Sequence, residues 1–340
     1  MEKLGRSWTF YHCNYRRLSF FICLLGLYLL VISTGRSSAI SPQDQKTERS
    51  PSSSVPRGKI VFSALKDGNW DLWMTNSDGT NLVQLTKTPI DERSPCVSHD
   101  GNRILYSTSE GSLRLMDVNN HSDKKILAAD GVYGNPVWLD DTKILYVGYI
   151  FKADKYEVKD DSSLLIFDLE RESSRSNPYV LIDQTGMQDW PSISPFGELI
   201  YSSSVKGPNQ KITQEIWKYD FRTQNGEQIT LMKANSIQPG WSPDGQEFVF
   251  VSNITGNFEI WKYNLIAGKV VMLTDTDCTN VEPCWSPDGK QIVFISNRRG
   301  HNEIWRMSSG GKVLEVISPF KENIECQYPF WFADHIEKAP

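Results

Sequence analysis

From Lys59 onward one phrase keeps returning: a proline, one or two apolar residues, a tight turn, then an apolar strand. It reads PCVSHDGNRILYST from Pro95, PVWLDDTKILYVG from Pro136 and PSISPFGELIYSSS from Pro191. It returns as PGWSPDGQEFVFVSN from Pro239 and PCWSPDGKQIVFISN from Pro283, and a half-copy, PFWFADH, begins at Pro329. Successive copies start 41, 55, 48, 44 and 46 residues apart. A second phrase follows each apolar strand (DLWMTNSDG, SLRLMDVNN, SLLIFDLER, EIWKYDFRT, EIWKYNLIA, EIWRMSSGG) and often leads into a short apolar run such as LVQLT or VVMLT. Each unit therefore offers four short strands with period-two alternation, a pattern that excludes helical repeats and predicts antiparallel propeller blades.

The turn between the first two strands is chemically explicit. In Ser286-Pro287-Asp288-Gly289 the proline presets φ, the aspartate caps the turn and the glycine takes the left-handed position. Ser242–Gly245 repeats it, with weaker versions at Ser98–Gly101 and Ser194–Gly197. Counting then sets the blade number. The apolar strand occurs at Ile60, Ile104, Ile144, Leu199, Phe248 and Ile292, and the proline strand also occurs six times. The first apolar strand lacks a proline strand before it, and the last proline strand lacks an apolar strand after it. Pairing Tyr328–Phe332 with Lys59–Ala64 fills both gaps and removes the open sheet edges of an unclosed array. The expectation is an all-β, six-bladed propeller over residues 59–340, closed by its C-terminal strand.

The WSPDG segments at Trp241 and Trp285, the prolines before them and the EIW phrases after them resemble the repeat of TolB-type six-bladed propellers, as does Asn76–Thr86. The resemblance covers about residues 59–334 and implies the propeller alone, because residues 40–58 are too short for the additional N-terminal α/β domain of TolB itself. Related propellers are joined to peptidase domains or act as sugar-acid lyases, so the resemblance does not by itself assign an activity.

Ahead of the repeats, Leu18–Ile32 is apolar except for Ser19 and follows Arg16-Arg17, the layout of an export signal over residues 1–39. Its fifteen residues fall short of the roughly 20 needed for a comfortable span, so cleavage near Ser37-Ser38-Ala39 is preferred over an uncleaved anchor. Residues 40–58 are Ser- and Pro-rich and read as a disordered tether. Either way the propeller is expected outside: periplasmic, extracellular or membrane-anchored. The whole chain carries a formal net charge of −5, and the basic N-terminal segment leaves the remainder more acidic still. Nucleic acid, which requires a basic surface, is excluded as a partner. The membrane is a partner only through the N-terminal segment, and the protein is expected to be a monomer.

Trp138, Trp241, Trp285 and Trp331 share one repeat position, and Trp73, Trp217, Trp261 and Trp305 share another. Such repetition argues for blade-to-blade packing, whereas Trp70 and Trp190 stand off both positions. His99, His121 and His335 lack metal-ligand spacing, the repeated Asp244 and Asp288 read as turn caps, and no G-x-S-x-G motif occurs. No catalytic residue, metal or cofactor is assigned. Cys96 and Cys284 read as small buried thiols, while a Cys278–Cys326 disulfide is left open, as is use of the sequons at Asn120 and Asn253.

The remaining candidates are positional. The loops entering the proline strands end in Arg93-Ser94, Gly134-Asn135, Asp189-Trp190, Ile237-Gln238, Val281-Glu282 and Gln327-Tyr328. Scaffold positions repeat for packing, so a set that differs from blade to blade is where specificity would reside. From it Arg93, Asn135, Asp189, Gln238, Glu282 and Gln327 are taken as a solvent-facing binding rim at the channel mouth. Asp189 and Glu282 are expected to form an acidic arc around Gln238, with Arg93 on the opposite side. The resulting reading is an exported, non-catalytic binding module for a protein or peptide. The alternative is a metal-dependent lyase or hydrolase acting on extracellular carbohydrate.

Overall fold

The computed structural model describes residues 58–127, 132–154, 157–171, 178–207, 211–317, 319–320 and 322–334. The expected export signal, nearly all of the tether, and His335 lie outside these residues. The described part folds as six four-stranded antiparallel sheets. Among the described residues no helix is long and apolar enough to cross a membrane.

Blade 1 is assembled from both ends of this region. Glu325–Phe332 forms its inner strand and pairs with Lys59–Lys66, followed outward by Asn69–Asn76 and Val83–Gln84. Ile60 lies opposite Trp331 and Val61 opposite Phe330, so the ring closes as the repeat count requires. The inner strands of blades 2 to 6 are Glu92–Val97, Val132–Trp138, Gln188–Ile193, Ser236–Trp241 and Asn280–Trp285. The long 55-residue spacing has a local cause in blade 3. Its two middle strands, Lys143–Asp154 and Glu157–Asp168, run 12 residues each and pair along their whole length, where blade 5 uses six.

The turns follow their chemistry. Ser286 Oγ donates to Asp288 Oδ1 at 2.7 Å and accepts from Gln291 N–H at 2.9 Å, while Gly289 adopts φ 69°. The Ser242 turn repeats this geometry, with Gly245 at φ 66°.

One expectation needs correcting. The second strand of each blade does not alternate. Ile60, Val61 and Phe62 are all fully buried, as are Phe248 through Val251. Blades stack face against face, so the second strand has a neighbour on both sides and reads as a continuous apolar run. The core is accordingly distributed between blades. One cluster joins Val61, Leu72 and Leu85 of blade 1 to Val97, Ile104 and Tyr106 of blade 2; another joins Leu113 and Leu105 of blade 2 to Trp138 and Tyr146 of blade 3.

The first tryptophan set packs as expected. Trp138, Trp241, Trp285 and Trp331 are each 3–7% exposed. Trp138 Nε1 donates to the carbonyl of Cys96 at 3.3 Å and Trp285 Nε1 to that of Gly240 at 3.1 Å, tying the inner strands of blades 3 and 6 to the blades before them. In the second set Trp73 is buried, whereas Trp217, Trp261 and Trp305 are half-buried; the Arg298 guanidinium covers the Trp305 ring at 4.4 Å.

A further device repeats along the outer strands. Thr230 Oγ1 accepts from Ile216 N–H at 2.8 Å and donates to the buried Glu215 carboxyl at 2.6 Å. Thr274 accepts from Ile260 N–H, and Thr86 from Leu72 N–H, both at 2.8 Å. This threonine replaces the outer-strand ladder where the outer strand turns toward the next blade.

Candidate functional site

The channel is set by one backbone irregularity used six times. The residue immediately before each inner-strand proline is left-handed: Ser94, Asn135, Trp190, Gln238, Glu282 and Tyr328 have φ between 45° and 56°. The pairing register of every inner strand shifts at this point. A left-handed conformation costs a non-glycine residue on the order of 1–2 kcal/mol, and a following proline disfavours it further. The bulge re-aims a side chain that would otherwise lie on a blade face. All six pre-proline residues line a central cavity of about 470 Å³, together with the inner strands.

The sequence-derived set is therefore mixed in register. Asn135, Gln238 and Glu282 occupy the pre-proline position and face the channel. Arg93, Asp189 and Gln327 stand one residue earlier and do not line the cavity. The channel-lining residues the sequence reading passed over are Ser94, Trp190 and Tyr328. The signal that finds them is alignment on the proline itself, which selects one member of each dipeptide consistently.

Hydrogen bonds join neighbouring blades around this ring. Ser94 Oγ and Asn135 Oδ1 are 3.0 Å apart, and Asn135 Nδ2 donates to Asp189 Oδ1 at 2.6 Å. Farther round, Glu282 N–H donates to Gln238 Oε1 at 2.9 Å and Tyr328 N–H to Glu282 Oε2 at 2.5 Å. Arg93 Nη1 donates to Gln327 Oε1 at 3.3 Å, linking blade 2 to blade 1. Trp190 belongs to blade 4 and Tyr328 to blade 1, which are opposite in the ring. Their rings nevertheless stack, with centroids 6.2 Å apart and planes 24° from parallel. An aromatic bar thus spans the channel.

Burial corrects the electrostatic picture. Asp189 is only 6% exposed. Besides Asn135 it accepts from Tyr149 OH at 2.9 Å and Trp190 N–H at 2.7 Å, so it holds the ring rather than forming part of an exposed acidic arc. Burial raises its pKa against these three donors. Gln238 is likewise buried, at 7% exposure. Burial pushes the Glu282 carboxyl up to about 7, with the Tyr328 N–H and the Arg93 charge acting in the other direction. Arg93 is not opposite the acids. In the closed ring blade 2 is two blades from blade 4 and two from blade 6, so Arg93, Asp189 and Glu282 occupy alternate blades. The Arg93 guanidinium lies 4.9 Å from the centroid of the buried Trp70 ring, which accounts for that off-register tryptophan, and 3.5 Å from Asp91.

His99 lines the channel near the turns, and His121 is exposed in a turn of blade 2. Among the described residues no three His, Cys, Asp or Glu side chains gather as a metal site. Cys96 is buried, and burial pushes its thiol up to about 12; that of Cys284, which lines the channel, goes up to about 11. Cys278 is a free thiol, so the Cys278–Cys326 disulfide is not formed.

Comparison with known proteins agrees with this architecture. A family model described as the TolB beta propeller domain matches residues 209–334. The chain is 30% identical over 110 residues to a protein TolB homolog from Chlorobaculum tepidum, an alignment covering 31% of this chain and 25% of that protein. The chain thus spans about a quarter of the length of this relative. TolB from Acinetobacter baumannii superposes with a TM-score of 0.67 at 19% identity, covering 82% of this chain and 67% of that one. An oligogalacturonate lyase in complex with manganese superposes with a TM-score of 0.55 at 17% identity, covering 76% and 73%. At these identities the superpositions speak to fold alone.

Proposed function

We propose that this chain, a TolB-type six-bladed propeller, is an exported binding module that recognises a protein or peptide at the mouth of its central channel. The observation that carries the reading is the pre-proline ring. Six positions share one costly backbone conformation, yet hold six different side chains: Ser94, Asn135, Trp190, Gln238, Glu282 and Tyr328. Packing alone rewards repetition, as the tryptophans of the same strands show. Export rests on the apolar run Leu18–Ile32 behind Arg16-Arg17.

Within the proposed site the residues divide by task. Asn135, Asp189 and Gln238 hold neighbouring blades in place. Arg93 and Gln327 form a linked pair on one side of the ring, and Glu282 offers a carboxyl to the channel. That carboxyl suits a partner presenting a lysine or arginine. Its pKa of about 7 gives the sign of the pH dependence: such a partner binds more tightly as pH rises through 7, because only the ionised carboxylate makes the ion pair.

The test is affinity capture by the full chain, identification of what is retained, and titration of that partner against Glu282→Gln and Arg93→Ala. Loss of a charge-assisted hydrogen bond costs about 1.5–3 kcal/mol, so Glu282→Gln should weaken binding roughly ten- to a hundredfold. Gln keeps an acceptor for the Tyr328 N–H, and melting should barely move. Parent-like affinity in both variants would remove the channel mouth as the site. The second reading, a metal-dependent lyase or hydrolase, draws on the lyase likeness; stoichiometric metal in the purified chain with turnover of an acidic oligosaccharide would favour it.

A further inference from the structure

Two positions recur with every repeat: the residue starting the EIW phrase, and the residue three before the next inner-strand proline. Around the ring these pairs are Asp71 with Glu92, Ser112 with Tyr133, Ser163 with Gln188, Glu215 with Ser236, Glu259 with Asn280, and Glu303 with Cys326. Five of these pairs hold at most one carboxyl group. The Glu259 junction shows the ordinary solution, with Asn280 Nδ2 donating to Glu259 Oε2 at 2.9 Å. The junction of blades 1 and 2 holds two carboxyls.

Both are buried, Asp71 at 5% exposure and Glu92 at 0%. Every other bond to them comes from a neutral donor. Thr86 Oγ1 donates to Glu92 Oε2 at 2.9 Å, and Thr88 Oγ1 donates to Glu92 Oε1. Gln84 Nε2 donates to Asp71 Oδ2 at 3.1 Å and Asn69 Nδ2 to Asp71 Oδ1 at 3.4 Å. Among the described residues no lysine, arginine or histidine forms an ion pair with either carboxyl. The charged groups packed nearby are Asp91 and Arg93, which face one another at 3.5 Å, and Lys66, held 5.3 Å from the Trp73 ring centroid. The two carboxyls share one network: Thr86 Oγ1, which donates to Glu92, accepts from the Leu72 N–H beside Asp71, and Asn69 Nδ2 donates both to Asp71 and to the Thr88 carbonyl, so the two groups lie close enough to act on each other's titration. Ionised carboxylates only accept hydrogen bonds, so the pair is closed only when one of them carries a proton.

We infer that Asp71 and Glu92 form a one-proton latch between blades 1 and 2, closed while the pair shares a proton and opened by its loss. When both groups ionise, two like charges face each other in a buried junction. The titration lies in the physiological range, since burial and the Asp71 charge push Glu92 up to about 7. The sign follows from linkage. A folded-state value above the unfolded one means that the native state retains the proton longer. The contribution is complete below about 4.5 and is lost as pH rises through 7.

The experiment is urea unfolding of the full chain from pH 5 to pH 9, comparing the parent with Glu92→Gln and with Asp71→Asn. Between pH 5 and pH 8 the folding constant of the parent should fall on the order of a hundredfold relative to Glu92→Gln, and by less relative to Asp71→Asn, in which the buried Glu92 still titrates. Each variant should become the more stable protein at the alkaline end. Infrared spectra supply a measurement that needs no unfolding: a protonated-carboxyl band present in the parent at pH 6, lost by pH 9, and reduced in the variant that folds. A parent-to-variant ratio that stays flat with pH, or an identical carboxyl band in parent and variant, overturns the latch.

Discussion

Asp189 and Glu282 occupy the same ring two blades apart, and their surroundings give them different work. The Asp189 carboxylate accepts from an amide, a phenol and a backbone N–H, which leaves little for a ligand. Glu282 accepts from Tyr328 N–H and lines the cavity. Asp189→Ala should therefore destabilise the protein by about 1–3 kcal/mol, because it strands buried donors, and the shift is read from urea midpoints. That both residues are acidic was legible in the sequence. Which of them is spoken for was not, since Tyr149 and Asn135 come from another blade and approach only after folding.

At the scale of the strand, the outer-strand threonine is as much a part of the blade as the ladder it ends. Thr230 is 1% exposed and serves Ile216 N–H and Glu215 at once. Thr230→Val keeps shape and removes both bonds, so a loss of about 2 kcal/mol is expected, with the amide of Ile216 exchanging faster with solvent deuterium. The six pre-proline bulges belong to the same scale. Each sets a side chain toward the channel at a backbone cost that six blades share. The four-strand unit and its Ser-Pro-Asp-Gly turns were readable because turn chemistry is local. The bulge was not, because the bulged residue itself has no fixed type: Ser, Asn, Trp, Gln, Glu and Tyr all occupy it, and the proline that follows marks the position without revealing its left-handed φ.

The molecule as a whole is a ring whose last inner strand pairs with its first apolar strand, so its stability is not the sum of independent blades. Truncation after Ile324 removes the inner strand of blade 1 and the 3%-exposed Trp331, and uncovers the Lys59–Lys66 edge. Loss of that aromatic burial alone is on the order of 3–5 kcal/mol, a large share of typical domain stability, so the truncated protein should lose cooperative melting throughout. A truncation that melts like the parent would contradict a closed ring. The sequence by itself determined the blade count, the phase of the strands and the closure, since these follow from a periodic pattern and an unmatched strand at each end. Tertiary structure decided which member of each dipeptide faces the channel, because a one-residue bulge exchanges the faces of a strand without leaving a mark in composition. It also decided the contacts between Trp190 and Tyr328, Arg93 and Gln327, and Asp71 and Glu92. Each joins residues of different blades, and those neighbours exist only once the blades have stacked and the ring has closed.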